Sequence, residues 1–254
     1  MTARNPVPKD IPKLRILWKQ VFGDSDSFLD IFFDTAFSEK RCLFIPDEYG
    51  NPVSALYILD CIYGNVKAAY IYAVATDEKM RGRGLGALLM KDAEKYLRDL
   101  GYDAVLLVPA SAGFRVYYEK IGYSTVTFVD VIEVSSAKKP TELIIIDKDE
   151  YSVLRRQYLP ENAVFHEDAS MEFLSRQARL CKGDDFLLAY QIEKDGLFGV
   201  ELLGNTAKAP DILNALGVDR GVFRTVGKTV PFAMHLALTE KGKALPSHFG
   251  FAFD

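Results

Sequence analysis

Cysteine is scarce: Cys42, Cys61 and Cys181 are the only three in 254 residues, widely spaced and without a Cys-x-x-Cys pair. An odd number at that spacing excludes a disulfide framework and fits reduced thiols in a cytoplasmic compartment. Histidine is equally rare, and His166, His235 and His248 form no His-Glu-x-x-His and stand beside no paired cysteines, so no metal site is expected. Long apolar runs are missing: none approaches the roughly 18 residues of a membrane span. The first twenty residues are interrupted by prolines and charges, unlike a secretory leader. A basic surface is missing too. The 35 acidic residues exceed the 31 basic ones, for a formal charge of -4, which argues against a nucleic-acid partner. What remains is a chain with 49% hydrophobic and 26% charged residues, enough for one large or two small globular domains.

Apolar positions at Leu14, Leu17, Trp18, Val21 and Phe22, then at Phe28, Leu29, Ile31, Phe32 and Phe33, predict two amphipathic helices separated by Gly23-Asp24-Ser25. Cys42 to Pro46 and Val53 to Cys61 flank turn residues and predict a hairpin. Ala68 to Ala75 is a short apolar run rich in aromatic and β-branched residues, expected as a buried strand. Helical spacing follows over Leu85 to Leu100, closed by Gly101. A strand at Ala104 to Val108, a helix at Ala112 to Ile121 ending at Gly122, and one or two strands over Tyr123 to Val134 complete a mixed α/β layer. The polar, proline-terminated stretch 135–140 places the expected boundary, giving domains 1–138 and 139–254. The second is expected to be a smaller α/β module: helices at Tyr151 to Tyr158 and Met171 to Leu180, strands at Phe186 to Gln191 and Leu197 to Leu203, a helix at Asp211 to Leu216, and a strand-rich end from Val222 to Leu238.

The strongest chemical signal is Arg81-Gly82-Arg83-Gly84-Leu85-Gly86, between the strand ending at Ala75 and the helix starting near Leu85. Alternating glycines let backbone approach a ligand and turn its amides inward, and the helix start adds positive potential, so a pyrophosphate would fit. Bare glycines in such a turn are as often ligand-free; the two arginines and the strand-loop-helix context tip the reading toward an anion site. A P-loop is excluded because no Gly-Lys-Ser/Thr follows. Gly82-x-Gly84-x-x-Ala87 satisfies a dinucleotide spacing, but five residues separate it from the strand and the next strand ends without an acidic residue.

The stretches Val74-Ala75-Thr76-Asp77-Glu78-Lys79-Met80-Arg81-Gly82-Arg83-Gly84 and Tyr117-Tyr118-Glu119-Lys120-Ile121-Gly122-Tyr123 resemble, in order and separation, two motifs of the GCN5-related N-acetyltransferases (GNAT). The resemblance spans roughly residues 10 to 135. It implies a mixed, splayed β-sheet flanked by helices, into which the pantetheine arm of acetyl-coenzyme A inserts beside Val74, Ala75 and Thr76. It further implies a pyrophosphate held on amides of Gly82, Gly84, Leu85, Gly86 and Ala87 with Arg81 or Arg83 assisting, and Tyr118 protonating the departing thiolate. Without the resemblance, Tyr118 reads as a core aromatic. Acetyl-coenzyme A is then the acyl-donor cosubstrate, no metal is implied, and the partner is a small-molecule or peptide amine.

Three departures stand against the family pattern. Ser111 occupies the position, seven residues before the tyrosine, where an asparagine commonly contacts the cofactor, and Pro109 removes an amide nearby. The strand Ala68 to Ala75 carries no carboxylate to act as general base; Asp60 is an alternative base, with a solvated strand end as its plainer reading. Residues 186–238 repeat the strand-strand-helix-strand order, with residues 204–210 in place of the glycine-arginine loop, and read as a degenerate GNAT-like half. That arrangement resembles tandem members of the family, including the enhanced-intracellular-survival type, in which a C-terminal carboxylate serves as base. This assigns Asp254 the same role, on an apolar tail expected to tuck inward. The expected activity is direct transfer of acetyl to a primary amine. The alternative from another class is a non-catalytic acyl-coenzyme A binding or sensing protein, and a third is a purely structural domain.

Overall fold

The two leading helices form where the apolar spacing puts one side of each against the sheet. In the computed structural model, which describes residues 2–137 and 139–253, α1 (Ile11–Phe22) ends on Gly23 at φ 77°, and α2 (Asp26–Thr35) is capped by Ser25, whose side chain accepts from the Phe28 amide. The strands β1 (Cys42–Pro46), β2 (Pro52–Tyr63) and β3 (Val66–Thr76) follow, then α3 (Leu85–Asp99), β4 (Ala104–Leu107), α4 (Ala112–Lys120) and β5 (Ser124–Thr125). Beyond them come β6 (Phe128–Ser135), β7 (Ile144–Ile145), α5 (Lys148–Tyr158), β8 (Phe165–His166), α6 (Asp168–Gln177), β9 (Arg179–Lys182), β10 (Phe186–Glu193) and β11 (Gly196–Gly204). The chain closes with α7 (Ala209–Leu216), β12 (Arg220–Val226), β13 (Val230–Pro231) and β14 (Met234–Ala237).

Among the described residues these strands make two mixed sheets, one in the order β1-β2-β3-β4-β14-β5, with β8 also pairing β2, the other in the order β13-β6-β12-β11-β10-β9-β7. In the first, α3 lays Leu85, Leu89, Ala93 and Leu97 at four-residue spacing against Leu56, Ile58 and Ile71. Truncating one of these buried leucines to alanine costs about 2–5 kcal/mol, so this face holds the unit together. On the α1/α2 side, Trp18 and Phe32 are fully buried, their rings tilted against each other with centroids 4.7 Å apart, and each also meets Tyr57.

The compact units differ from a cut at residue 138. The first runs to Ser124 and takes in His166–Ser170 and Met234–Leu245; the second holds Thr125–Phe165, Met171–Ala233 and the residues from Pro246 onward. Two strands account for the difference. β6, expected in the first module, pairs with β12 of the second sheet from Val129↔Val226 to Ser135↔Arg220. β14 returns to the first sheet, antiparallel to β4 from Met234↔Leu107 to Ala237↔Ala104, and Gly242 lies so close to Asp103 that an added Cβ would fall 1.8 Å from its carbonyl oxygen. Alternation reports which face of a strand is buried and is silent on which sheet it joins. The expected helix Met171 to Leu180 also shifts: α6 stops at Gln177, and the residues after it become β9, completing the sheet beside β10 with Leu180↔Ala189.

The second unit packs Leu188, Leu197, Leu202 and Phe223 against Ile212 and Leu213 of α7. Behind β11 lies a buried charged cluster. Arg155 Nε and Nη2 donate to Glu201 at 2.7 and 3.0 Å, its Nη1 donates to the Val164 carbonyl, and Tyr151 donates to the same carboxylate at 3.2 Å. His248 Nε2 lies 3.3 Å from Glu201, and Gly250, at φ 87°, packs where a Cβ would sit 2.3 Å from Arg155 Nη2. The tail residues Phe249, Phe251 and Phe253 are buried. Asp254, assigned a base role from the sequence, lies outside the described residues.

Candidate functional site

The parallel pairing between β3 and β4 covers three positions, Ala68↔Ala104 to Tyr70↔Leu106. β3 runs on for six more residues to Thr76, while β4 ends one residue later at Leu107. Along that stretch β3 keeps its partner β2 on the other side, down to Ser54↔Thr76, with one extra residue inserted between the Tyr57↔Tyr72 and Ala55↔Ala75 pairs. The insertion is a β-bulge at Ala73, whose φ of 49° is left-handed for a non-glycine residue and costs about 1–2 kcal/mol. A bulge re-aims the strand, and the edge of β3 beyond Tyr70 is left facing an opening in the sheet.

Ser54, which the sequence reading passed over, holds the bulged end. It is fully buried, donates to the Ala75 carbonyl at 3.0 Å and shares a 2.9 Å hydrogen bond with Thr76 Oγ1. Its only sequence signal is a small hydroxyl residue among the apolar residues at the start of β2. Of the three strand residues singled out, Val74 and Thr76 are half-buried and Ala75 is buried against β2.

Past Thr76 the chain makes a 3-10 turn capped by Asp77 and reaches the glycine loop, where Arg81 to Gly84 are all exposed. Gly82 and Gly84 take φ of 77° and 75°, and an added Cβ at either would meet nothing within 4 Å. Conformation therefore demands glycine there, and the space beside the loop stays open. Gly84 caps α3 with no side-chain hydrogen bond, and the first intrahelical bond reaches it from the Leu88 amide, leaving the amides of Leu85, Gly86 and Ala87 without a capping side chain. Those amides and the helix dipole form a site suited to an anion. The two arginines behave differently: Arg81 Nε folds back to donate to the Thr76 carbonyl at 3.3 Å, while Arg83 stands in solvent.

Across the opening, α4 starts at Ser111, whose hydroxyl accepts from the Phe114 amide at 3.3 Å and so serves its own helix. Tyr118 is the buried residue of α4, 8% exposed, its ring 5.2 Å from Tyr117 and 6.0 Å from Tyr123. Burial pushes its phenol well above the ordinary tyrosine range, so it is protonated at neutral pH and able to donate. Asp60 is neither a free base nor a solvated strand end. It is 6% exposed, opposite Ala69 in the β2–β3 ladder, and bound by the Tyr102 hydroxyl and the Arg41 guanidinium. Of the early aromatics, Trp18 and Phe32 are core, whereas Phe22 is 44% exposed.

A family model described as an acetyltransferase (GNAT) domain matches residues 2–126. No curated protein matches the sequence. Among solved structures, a GCN5-related N-acetyltransferase from Anabaena variabilis superposes with a TM-score of 0.74 at 16% identity, covering 94% of this chain and 73% of that one. Eis1 from Mycobacterium abscessus gives 0.66 at 10% identity over 94% and 74%. A GCN5-related N-acetyltransferase from Sphaerobacter thermophilus gives 0.57 at 14% identity over 93% and 95%. At these identities the likeness is one of fold, and it extends over both sheets.

Proposed function

Because the chain belongs, through residues 2–126, to the GCN5-related N-acetyltransferases, we propose that it transfers acetyl from acetyl-coenzyme A to a primary amine on a small molecule or peptide. The observation that carries the reading is the opening beside Ala73, where β3 loses β4 after three pairs and the glycine loop follows at its end. The pantetheine arm would lie along Val74 to Thr76 as an added strand, and the pyrophosphate on the amides of Gly82 to Ala87. Arg83 is the freer of the two arginines for a charge-assisted bond, and Ser111, occupied with its own helix, contributes less than an amide side chain would.

In the reaction a neutral amine attacks the thioester carbonyl, giving a tetrahedral intermediate whose oxyanion is met by a backbone amide of the opened strand. The carbon–sulfur bond then breaks and the thiolate takes the proton of the Tyr118 hydroxyl, which is replenished from water. The amine's own proton needs an acceptor, and β3 carries no carboxylate while Asp60 is held by Arg41 and Tyr102. Solvent or the carboxylate of Asp254 fills that role in this reading. Removing Phe253 and Asp254 from a protein that still folds separates the two, since unchanged turnover leaves solvent. The same lack of a base is what favours the second reading, a non-catalytic acyl-coenzyme A sensor. Among the described residues no helix is long and apolar enough to cross a membrane. Thiol release from acetyl-coenzyme A over a panel of amines tests the activity: release with one acceptor class supports the enzyme, and binding without release with any of them supports the sensor.

A further inference from the structure

The motif that carries Tyr118 has a second tyrosine in front of it, and the proposed mechanism gives that residue no role. Tyr117 is half-buried on α4, and its hydroxyl lies over the first turn of α3: a Cβ added to Gly86 would sit 3.1 Å from Tyr117 Oη and 3.9 Å from Thr76 Oγ1. Gly86 has negative φ, so conformation does not require glycine there; an added methyl would instead crowd the phenol, which would have to shift by a few tenths of an ångström. Thr76 Oγ1 is engaged with Ser54. Among the described residues the Tyr117 hydroxyl has no hydrogen-bond partner, and it lies over Gly86, in the helix turn whose first amides no side chain caps. A neutral O–H donor at the rim of a set of free N–H donors adds to their preference for an oxyanion. Burial raises the Tyr117 pKa and keeps the proton on.

We infer that Tyr117 is a binding residue for the phosphate-bearing part of the acyl donor, donating its phenolic hydrogen to a phosphate oxygen seated on the first turn of α3, with Gly86 kept small to make room. The inference rests on the reading of this loop as the donor site. It gives the two neighbouring tyrosines separate roles, Tyr118 at the sulfur and Tyr117 at the diphosphate, so the protein distinguishes a phosphorylated carrier from bare pantetheine partly through Tyr117.

Calorimetric titration of coenzyme A and of S-acetylpantetheine, which lacks the phosphates, into the native protein and Tyr117→Phe tests this. The expected result is roughly tenfold weaker coenzyme A binding by Tyr117→Phe, with the pantetheine compound treated alike by both proteins. Gly86→Ala in each background completes a cycle: it should weaken coenzyme A binding more when Tyr117 is present than when Phe replaces it. Equal coenzyme A affinity in native and Tyr117→Phe overturns the inference while leaving the donor site standing. Equal affinity with lost thiol release would reassign Tyr117 to proton donation. Failure of the folded native protein to bind coenzyme A at all overturns the donor-site reading itself.

Discussion

Both sheets kink the same strand of a strand-strand-helix-strand sequence, and only one of them opens. In the first, β3 carries an extra residue at Ala73 and its parallel pairing with β4 stops at Tyr70↔Leu106. In the second, β11 carries one between the Tyr190↔Gly199 and Ala189↔Glu201 pairs, yet its pairing with β12 resumes beyond the bulge at Leu202↔Thr225. A bulge alone therefore does not make a cleft. The helix starts differ in the same sense. Neither helix has a capping side chain, but α3 begins behind two left-handed glycines, whereas α7 continues from a 3-10 turn whose Thr206 carbonyl accepts from the Ala209 amide, and Pro210 has no amide to offer. The first module presents three uncapped amides behind an open glycine loop, and the second presents fewer. β3 is without a carboxylate at its bulge, while β11 places Glu201 directly after its own, buried and clasped by Arg155.

The largest effect that would sharpen this contrast lies in the open module. Tyr118→Phe should lower turnover about 10²- to 10⁴-fold while coenzyme A affinity changes little, read from thiol release and calorimetry; equal turnover removes Tyr118 from the mechanism. The closed module should respond in stability instead. Arg155→Met strands the Glu201 carboxylate in a dry interior and should cost about 3–5 kcal/mol in denaturant unfolding, with the loss seen first in hydrogen exchange of β10 and β11.

The native pair has a pH signature as well. Burial pushes the Glu201 carboxyl up, but the charge of Arg155 and hydrogen bonds from His248 and Arg155 outweigh it and hold the pKa at about 2, below the ordinary 4.5. Its contribution is thus complete above about pH 4.5 and is lost as the pH falls toward 2, a loss Arg155→Met should not show. Ser54→Ala should cost about 1 kcal/mol by releasing the Ala75 carbonyl and Thr76 hydroxyl, and should loosen the bulged end of β3. Smallest of all, Ala207→Glu in the second loop should leave coenzyme A binding unchanged.

The order of elements was legible because apolar spacing is local: α3 was expected over Leu85 to Leu100 and spans Leu85–Asp99. Gly23, Gly101 and Gly122 announced helix ends and take positive φ there. The glycine loop was legible for the same reason, since left-handed backbone shows as glycine. What was not legible depends on distant partners. Nothing near Met234 says that it pairs with Leu107 rather than with the strands just before it. Arg155 and Glu201 stand 46 residues apart in segments where a charge ordinarily marks solvent. The motif marks Tyr118 and gives Tyr117 no separate signal; only the fold sets its hydroxyl over Gly86.

The most direct test of the donor site is a calorimetric titration of acetyl-coenzyme A into the native protein and into Gly84→Glu, with folding of both verified by thermal melts. Glutamate there places a negative side chain in the open space beside the α3 amides, so binding by the native protein and none by the variant is the expected result. Equal binding by both, or none by the folded native protein, would contradict the claim that the opened sheet and its glycine loop are a donor site.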